Sequence, residues 1–211
     1  MSEVLDTGVR EKVFIVDDDA SICEGLCNLL DAVGIQAESY SSAEAFREGW
    51  RESHAGCLLL DARLPGISGV DFQEQMKTYG IHIPVIFMTA HGDMPMVRKV
   101  MKAGAVEFLI KPFQKEELLR AIEQAFAYDH ARCKENSILN SIRARVNSLT
   151  DREREVMEMV TAGLLNKQIA ANLNLSEVTI KLYRRNVMDR MQASSLAELV
   201  KMCERVKASV R

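Results

Sequence analysis

No stretch of this chain approaches the ~20 consecutive apolar residues that a membrane-spanning helix needs. Its first residues, MSEVLDTGVREK, lack the apolar core of a secretory leader. None of its 5 cysteines falls in a C-x-x-C pair, and Cys23 and Cys27, one helical turn apart, have no further His or Cys beside them. That leaves no thiolate metal site and points to small buried residues in a reducing compartment. A membrane protein is excluded, and a cytoplasmic one is expected. A strong overall charge is missing too, at −3 over 211 residues, but the mean conceals an asymmetry. Residues 1–127 carry 12 Lys and Arg against 20 Asp and Glu, net −8, and residues 128–211 carry 15 against 10, net +5. An acidic half joined to a basic half suggests that only the second meets a polyanion.

What is present is a series of apolar runs that end in reactive side chains. Residues 58–69 read LLLDARLPGISG. Cys57, Leu58, Leu59 and Leu60 show no polar alternation, the pattern of a strand buried on both faces of a parallel sheet. Asp61 follows at the C-terminal end, the edge where open α/β sheets bind ligands; an Asp there can also simply cap the next turn. The run VFIVDDDA at 13–20 ends in Asp17 and Asp18, which converge on Asp61 if the two strands are parallel neighbours. Carboxylates ~4 Å apart repel by ~4 kcal/mol at an effective dielectric near 20, so such a cluster holds protons or a cation. Mg2+, typically bound by one or two carboxylates together with a phosphate group, suits it. PVIFMT at 84–89 ends in the Thr89 hydroxyl, and VEFLIK at 106–111 ends in the Lys111 ammonium before Pro112. Acids, hydroxyl and ammonium at four strand ends supply metal ligands, a nucleophile, a hydrogen-bond donor and a cation for phosphoryl oxygens.

Helical periodicity fills the gaps. Ile22, Leu26, Leu29, Leu30 and Val33 share one face, Gly34 closes that helix before a short strand over 35–40, and Ser41 with Glu44 reads as a capping box for the next. Helices follow over about 70–79 and 94–103, and a last one carries Leu118, Leu119, Ile122, Ala125 and Phe126 on one face. Five β-α units imply right-handed crossovers and a doubly wound five-stranded parallel sheet.

Taken in order, VDD, D-x-x-L-P-G-x-S-G, MTAHGD and K-A-G-A-x-x-F-x-x-K-P-F resemble the receiver domain of two-component response regulators, over about residues 11–127. The resemblance implies a flavodoxin-like α/β fold with Asp61 as phospho-acceptor. It implies Mg2+ held by Asp17, Asp18, Asp61 and the backbone carbonyl of Arg63, with Thr89 as switch hydroxyl, Phe108 as switch aromatic and Lys111 as phosphate-pairing lysine after a cis Lys111-Pro112 bond. A sensor histidine kinase would be the donor, and the protein would phosphorylate itself without acting on an external substrate. Movement of Thr89, Lys111 and Phe108 toward a phosphoryl group would turn the face of Val97, Val100 and Met101 into a homodimer contact.

From 128 to 147 the pattern loosens, yet Ile138, Leu139, Ile142 and Val146 keep helical spacing, which predicts a helical linker in place of a Gly/Ser tether. The domain over 148–211 opens with Thr150 and Glu153 as a capping box. Four helices read off at about 151–162, 167–173, 177–191 and 196–208. Gly163 ends the first, Asn166 caps the second, Ser176 the third, and Ser195 with Glu198 the fourth. Asn174, Leu175 and Ser176 are the short turn of a helix-turn-helix. In SEVTIKLYRRNVMDRM an inward face of Val178, Leu182 or Ile180, Val187 and Met191 leaves Thr179, Lys181, Tyr183, Arg184 and Arg185 near the exposed N-terminal half. That half enters the major groove in a helix-turn-helix, where Arg and Lys reach guanine edges and phosphates.

LTDREREV, GLLNKQIA and LSEVTIKLYRRNVMDRM resemble the LuxR-type helix-turn-helix, and the two halves together resemble the FixJ/NarL group of transcriptional response regulators. This implies base-facing Lys181, Leu182 and Arg185, and phosphate contacts from Lys167, Thr179 and Arg184. Tyr183 stands where the family usually has histidine. The expectation is a phosphorylation-controlled regulator that binds double-stranded DNA, with RNA polymerase a further partner. Two other readings fit parts of the chain. Asp17-x-Asp19 also meets the D-x-D of haloacid dehalogenase-type phosphatases, and a receiver could carry the basic domain as a protein-binding adaptor.

Overall fold

The apolar runs form strands covered on both faces by helices. A computed structural model describes residues 11–51, 55–90 and 94–209; the expectations for the first ten residues and for the His91-Gly92-Asp93 part of MTAHGD lie outside the described residues. The chain divides into two compact units, Met1–Arg132 and Cys133–Arg211.

In the first unit the elements are β1 (Lys12–Val16), α1 (Ala20–Asp31), β2 (Gln36–Tyr40), α2 (Ala43–Gly49), β3 (Gly56–Asp61), α3 (Gly69–Met76, prolonged by a 3-10 turn Lys77–Tyr79), β4 (Val85–Thr89), α4 (Met94–Lys102), β5 (Glu107–Ile110) and the start of α5 (Lys115–Ser148). The strands are parallel in the order β2-β1-β3-β4-β5. Alternate residues feed two cores. Val13, Ile15, Cys57, Leu59, Ile86 and Met88 pack with Leu26 and Leu30 of α1 and Leu118, Ile122 and Ala125 of α5. Phe14, Val16, Leu58, Leu60, Val85 and Phe87 pack with Phe46 of α2, Phe72 and Met76 of α3 and Val100 of α4. Each such side chain is worth roughly 1.5–3 kcal/mol of burial, so the strands are fixed by both faces at once. Strand order reverses between β1 and β3, which opens a crevice at their C-terminal ends.

Three details differ from the sequence expectations. Ser42, not Ser41, caps α2, accepting the Ala45 amide. Val33 lies beyond the end of α1 and is exposed. The expected helix around 118–126 and the linker over 128–147 are one helix, α5, with no Gly or Pro inside it to break it. The boundary between the units falls within this helix, and Ile138, Ile142 and Val146 pack in the core of the second unit.

That second core also gathers Leu149, which precedes α6, and Val156, Met157, Val160, Ile169, Ile180, Val187, Met191, Leu199 and Cys203 from α6 (Asp151–Thr161), α7 (Asn166–Leu173), α8 (Glu177–Met191) and α9 (Leu196–Ala208). The caps are mostly those the sequence signals: Thr150 with Glu153, Ser176 and Ser195. Asn166 is the exception. Leu165 occupies the cap position of α7, with its amide satisfied by the Gln168 side chain, and the Asn166 oxygen is drawn instead to the Arg184 guanidinium at 2.8 Å.

Candidate functional site

Strand register assembles the first candidate site. Val16 is paired with Leu60, so Asp17 and Asp61 leave the sheet at the same edge. Thr89 and Ile110 end their strands as a pair, which brings Lys111 to that edge too. Asp17 is 2% and Asp61 7% exposed. The Lys111 ammonium bridges them, donating to Asp17 Oδ2 and, at 3.1 Å, to Asp61 Oδ1. The remaining oxygens are also held: Asp17 Oδ1 accepts the Asp19 amide at 3.0 Å, and Asp61 Oδ2 the Arg63 amide at 3.1 Å. Lys111 precedes Pro112 through a cis peptide, and its own amide donates to the Thr89 carbonyl at 2.7 Å.

The turn carrying Asp61 is set by a close approach. A Cβ on Gly69 would lie 2.0 Å from the Asp61 carbonyl oxygen, so only glycine lets α3 begin against the end of β3. The sequence motif contains this glycine without revealing the contact behind it. Asp19 was missed as a positioning residue. Its side chain accepts the Ser21 and Ile22 amides and caps α1, a role its place just before a helical pattern could have revealed. One of its oxygens is engaged by the helix end, which counts against the D-x-D chemistry of the phosphatase reading.

Electrostatics single out Asp61. Burial pushes its carboxyl above the usual range, and the Lys111 hydrogen bond and charge offset this only in part, with the Asp17 charge adding to the rise. Burial also works against the Lys111 ammonium, but hydrogen bonds to Asp17 and Asp61, with their charges, win and raise its pKa. A divalent cation was expected to find three converging carboxylates. Among the described residues no three acidic, His or Cys side chains form such a cluster, and Asp18 is exposed. The physical reason is repulsion: one ammonium bridges two buried carboxylates and leaves a net negative charge, so a third carboxylate is cheaper to leave in water. The donor set still fits a hard cation in kind, because Asp17 and Asp61 offer carboxylate oxygens at one edge and Asp18 adjoins them in sequence.

The residues expected to act as a switch are dispersed around this edge. Thr89 is buried at the end of β4, and Phe108, half-buried on β5, pairs with Phe87 and packs against the core under α2, α3 and α4. Of the expected dimer face, Met101 is exposed and Val97 half-buried. Val100 is corrected: it is 0% exposed and belongs to the core, since α4 turns that side toward the sheet.

The second candidate site is on α8. Ile180, Val187 and Met191 are buried, one face at helical spacing. Val178 and Leu182, expected to share that inward face, are 75% and 59% exposed instead. Lys181, Arg185 and, on α7, Lys167 are exposed; Thr179 is half-buried beside the Ser176 cap, and half-buried Arg184 ties α8 to α7 through Asn166. The only acid paired with Arg185 among the described residues is Asp189, at 3.8 Å, which leaves the guanidinium available.

Two family descriptions match the chain: "Response regulator receiver domain" over residues 13–123 and "Bacterial regulatory proteins, luxR family" over residues 147–203. Nodulation protein W of Bradyrhizobium diazoefficiens is 44% identical over 192 residues, 91% of this chain and 85% of that protein. Transcriptional regulatory protein FixJ of the same organism is 41% identical over 193 residues, 92% of this chain and 94% of the relative. Among solved structures, response regulator StyR is similar at a TM-score of 0.81 and 44% identity, over 93% of this chain and all of that one, 100%.

Proposed function

Because the chain belongs to the transcriptional response regulators that join a receiver to a LuxR-type DNA-binding domain, we propose that Asp61 is its phospho-acceptor and that the phosphoryl group governs DNA binding through α8. A receiver implies a histidine kinase as its partner, and the helix-turn-helix implies DNA. The observation that carries the reading is the buried Asp17 and Asp61 pair bridged by half-buried Lys111 at the strand edge where the order reverses between β1 and β3.

In the proposed step an Asp61 carboxylate oxygen attacks the phosphorus of a phosphohistidine, the P–N bond breaks, and the leaving imidazole takes a proton. Lys111 already lies against that carboxylate and would pair with the phosphoryl oxygens, and Thr89 would donate its hydroxyl to them. Receiver domains typically bind Mg2+ for this chemistry. Here Asp17, Asp18, Asp61 and the Arg63 carbonyl would hold it, and it would neutralise charge gathering on phosphoryl oxygens. Inward rotation of Phe108 would then reshape the surface around Val97 and Met101, with Val100 beneath it, into a homodimer contact. Two α8 helices related by a two-fold axis would read half-sites about one DNA turn apart. DNA as partner puts the protein in the cytoplasm, where RNA polymerase is its further partner. No helix among the described residues is long and apolar enough to cross a membrane.

Incubation with radiolabelled acetyl phosphate and Mg2+ tests the acceptor. Wild-type protein is expected to take up one label at Asp61 and Asp61→Asn none; undiminished uptake by Asp61→Asn would refute the assignment.

A further inference from the structure

The exposed face of α8 carries one residue to which no role has yet been given. At 3.6 residues per turn, Val178, Lys181, Leu182 and Arg185 fall within roughly 100° of helical arc, and the buried Ile180, Val187 and Met191 lie on the opposite side. Val178 is the most exposed large aliphatic side chain among the described residues, at 75%, and Leu182 follows one turn on at 59%. Val178 therefore holds no core together. Its β-branch also makes it a mediocre helix former, at a position where polar side chains are sterically free. It stands in the first turn of α8, directly after the Ser176 cap, the part of a recognition helix that comes closest to base edges.

Two compact aliphatic side chains lying alongside Lys181 and Arg185 on this face match a surface that joins apolar to anionic groups. The major groove presents that combination at thymine, whose C5 methyl lies between flanking phosphates. We propose that Val178 is a specificity-determining residue that reads a thymine methyl; this rests on the DNA-binding reading above and adds which base the helix's first turn selects.

Uracil scanning isolates the contact, because replacing thymine by uracil removes only the methyl. Duplexes are selected from a random pool by the full-length protein in the presence of acetyl phosphate and Mg2+, then resynthesised with each thymine replaced in turn. For wild type, one thymine per half-site is expected to lose about fourfold in affinity, the worth of one buried methyl-sized group. Val178→Ala abolishes that dependence and leaves preferences at other positions unchanged. A Val178→Ala scan that superimposes on wild type, at unchanged circular dichroism, would overturn the assignment and leave sequence-specific binding standing, as would a flat wild-type scan. A full-length protein that selects no sequence at all would instead overturn the DNA-binding reading.

Discussion

Asp61 in the first unit and Glu153 in the second are both nearly closed off from water, at 7% and 3% exposure, yet their surroundings act on them in opposite directions. Glu153 accepts the Thr150 amide at 2.9 Å and the Thr150 hydroxyl at 3.0 Å, and Arg190 lies 3.4 Å from its other oxygen. The amide bond first, and the hydroxyl and Arg190 after it, hold its carboxyl below the usual range despite burial. Around Asp61 burial prevails and the carboxyl is raised. One charge is fully used by its helix end, as a stabilising device. The other is undercompensated, and a carboxylate that keeps unmet demand for cations and donors is one that can gain from a phosphoryl group and its counterions.

The largest departure from that contrast is expected on neutralising Asp61. Asp61's raised pKa means that the folded state carries no penalty below the unfolded pKa, that the penalty grows as pH rises toward the folded pKa, and that it is complete above it. Asp61→Asn should therefore melt above wild type at pH 7, with the gap closing on acidification. Thermal melts from pH 3 to 8 check this, and an Asn variant less stable than wild type at neutral pH would break the contrast. Next in size, Arg185→Ala or Lys181→Ala should lose ~1–3 kcal/mol on a selected duplex and relax base preference, whereas Lys167→Ala should weaken all sequences alike and lower the salt slope by about 1. Titrations at several salt concentrations separate the two patterns. Smallest, Glu153→Gln should lose about 1 kcal/mol at pH 7. For Glu153, with a depressed pKa, the stabilisation is present above the unfolded pKa and vanishes as pH falls through the folded pKa. The loss in the Gln variant should fade in the same window, as chemical denaturation at a series of pH values would record.

Much of this was legible because strand and function share one signal. The runs before Asp17, Asp61 and Thr89 are apolar on both faces, so each of these side chains sits where a buried strand must stop. What was not legible depends on choices that a local pattern leaves degenerate. Val178 with Leu182 and Ile180 with Val187 are both aliphatic pairs at helical spacing, and only packing into the second core selects Ile180. Ser41 and Ser42 are equally good caps, and the backbone chose the second. Val100 groups with Val97 and Met101 on the expected dimer face, and only the packing of α4 on the sheet shows that it is buried. Partnerships distant in sequence leave no trace at all. Asp129, buried on α5, accepts the Gly56 amide at 3.3 Å from 73 residues away and also holds Arg132 at 2.6 Å. Gly56 itself has φ 136°, and a Cβ there would strike the Lys12 carbonyl at 1.8 Å.

Coupling between the units is tested most directly by sedimentation of the full-length protein with and without acetyl phosphate and Mg2+, alone and with a selected duplex. Moving an equilibrium from mostly monomer to mostly dimer takes roughly 5.5 kcal/mol, within reach of several charge-assisted bonds to a phosphoryl group. Wild type should pass from monomer to DNA-binding dimer on phosphorylation. Asp61→Asn should stay monomeric, and Val97→Asp should accept phosphate yet neither dimerise nor bind DNA tightly. Equal dimerisation of modified and unmodified protein, or a fully dimeric Val97→Asp variant, would contradict control of DNA binding from Asp61.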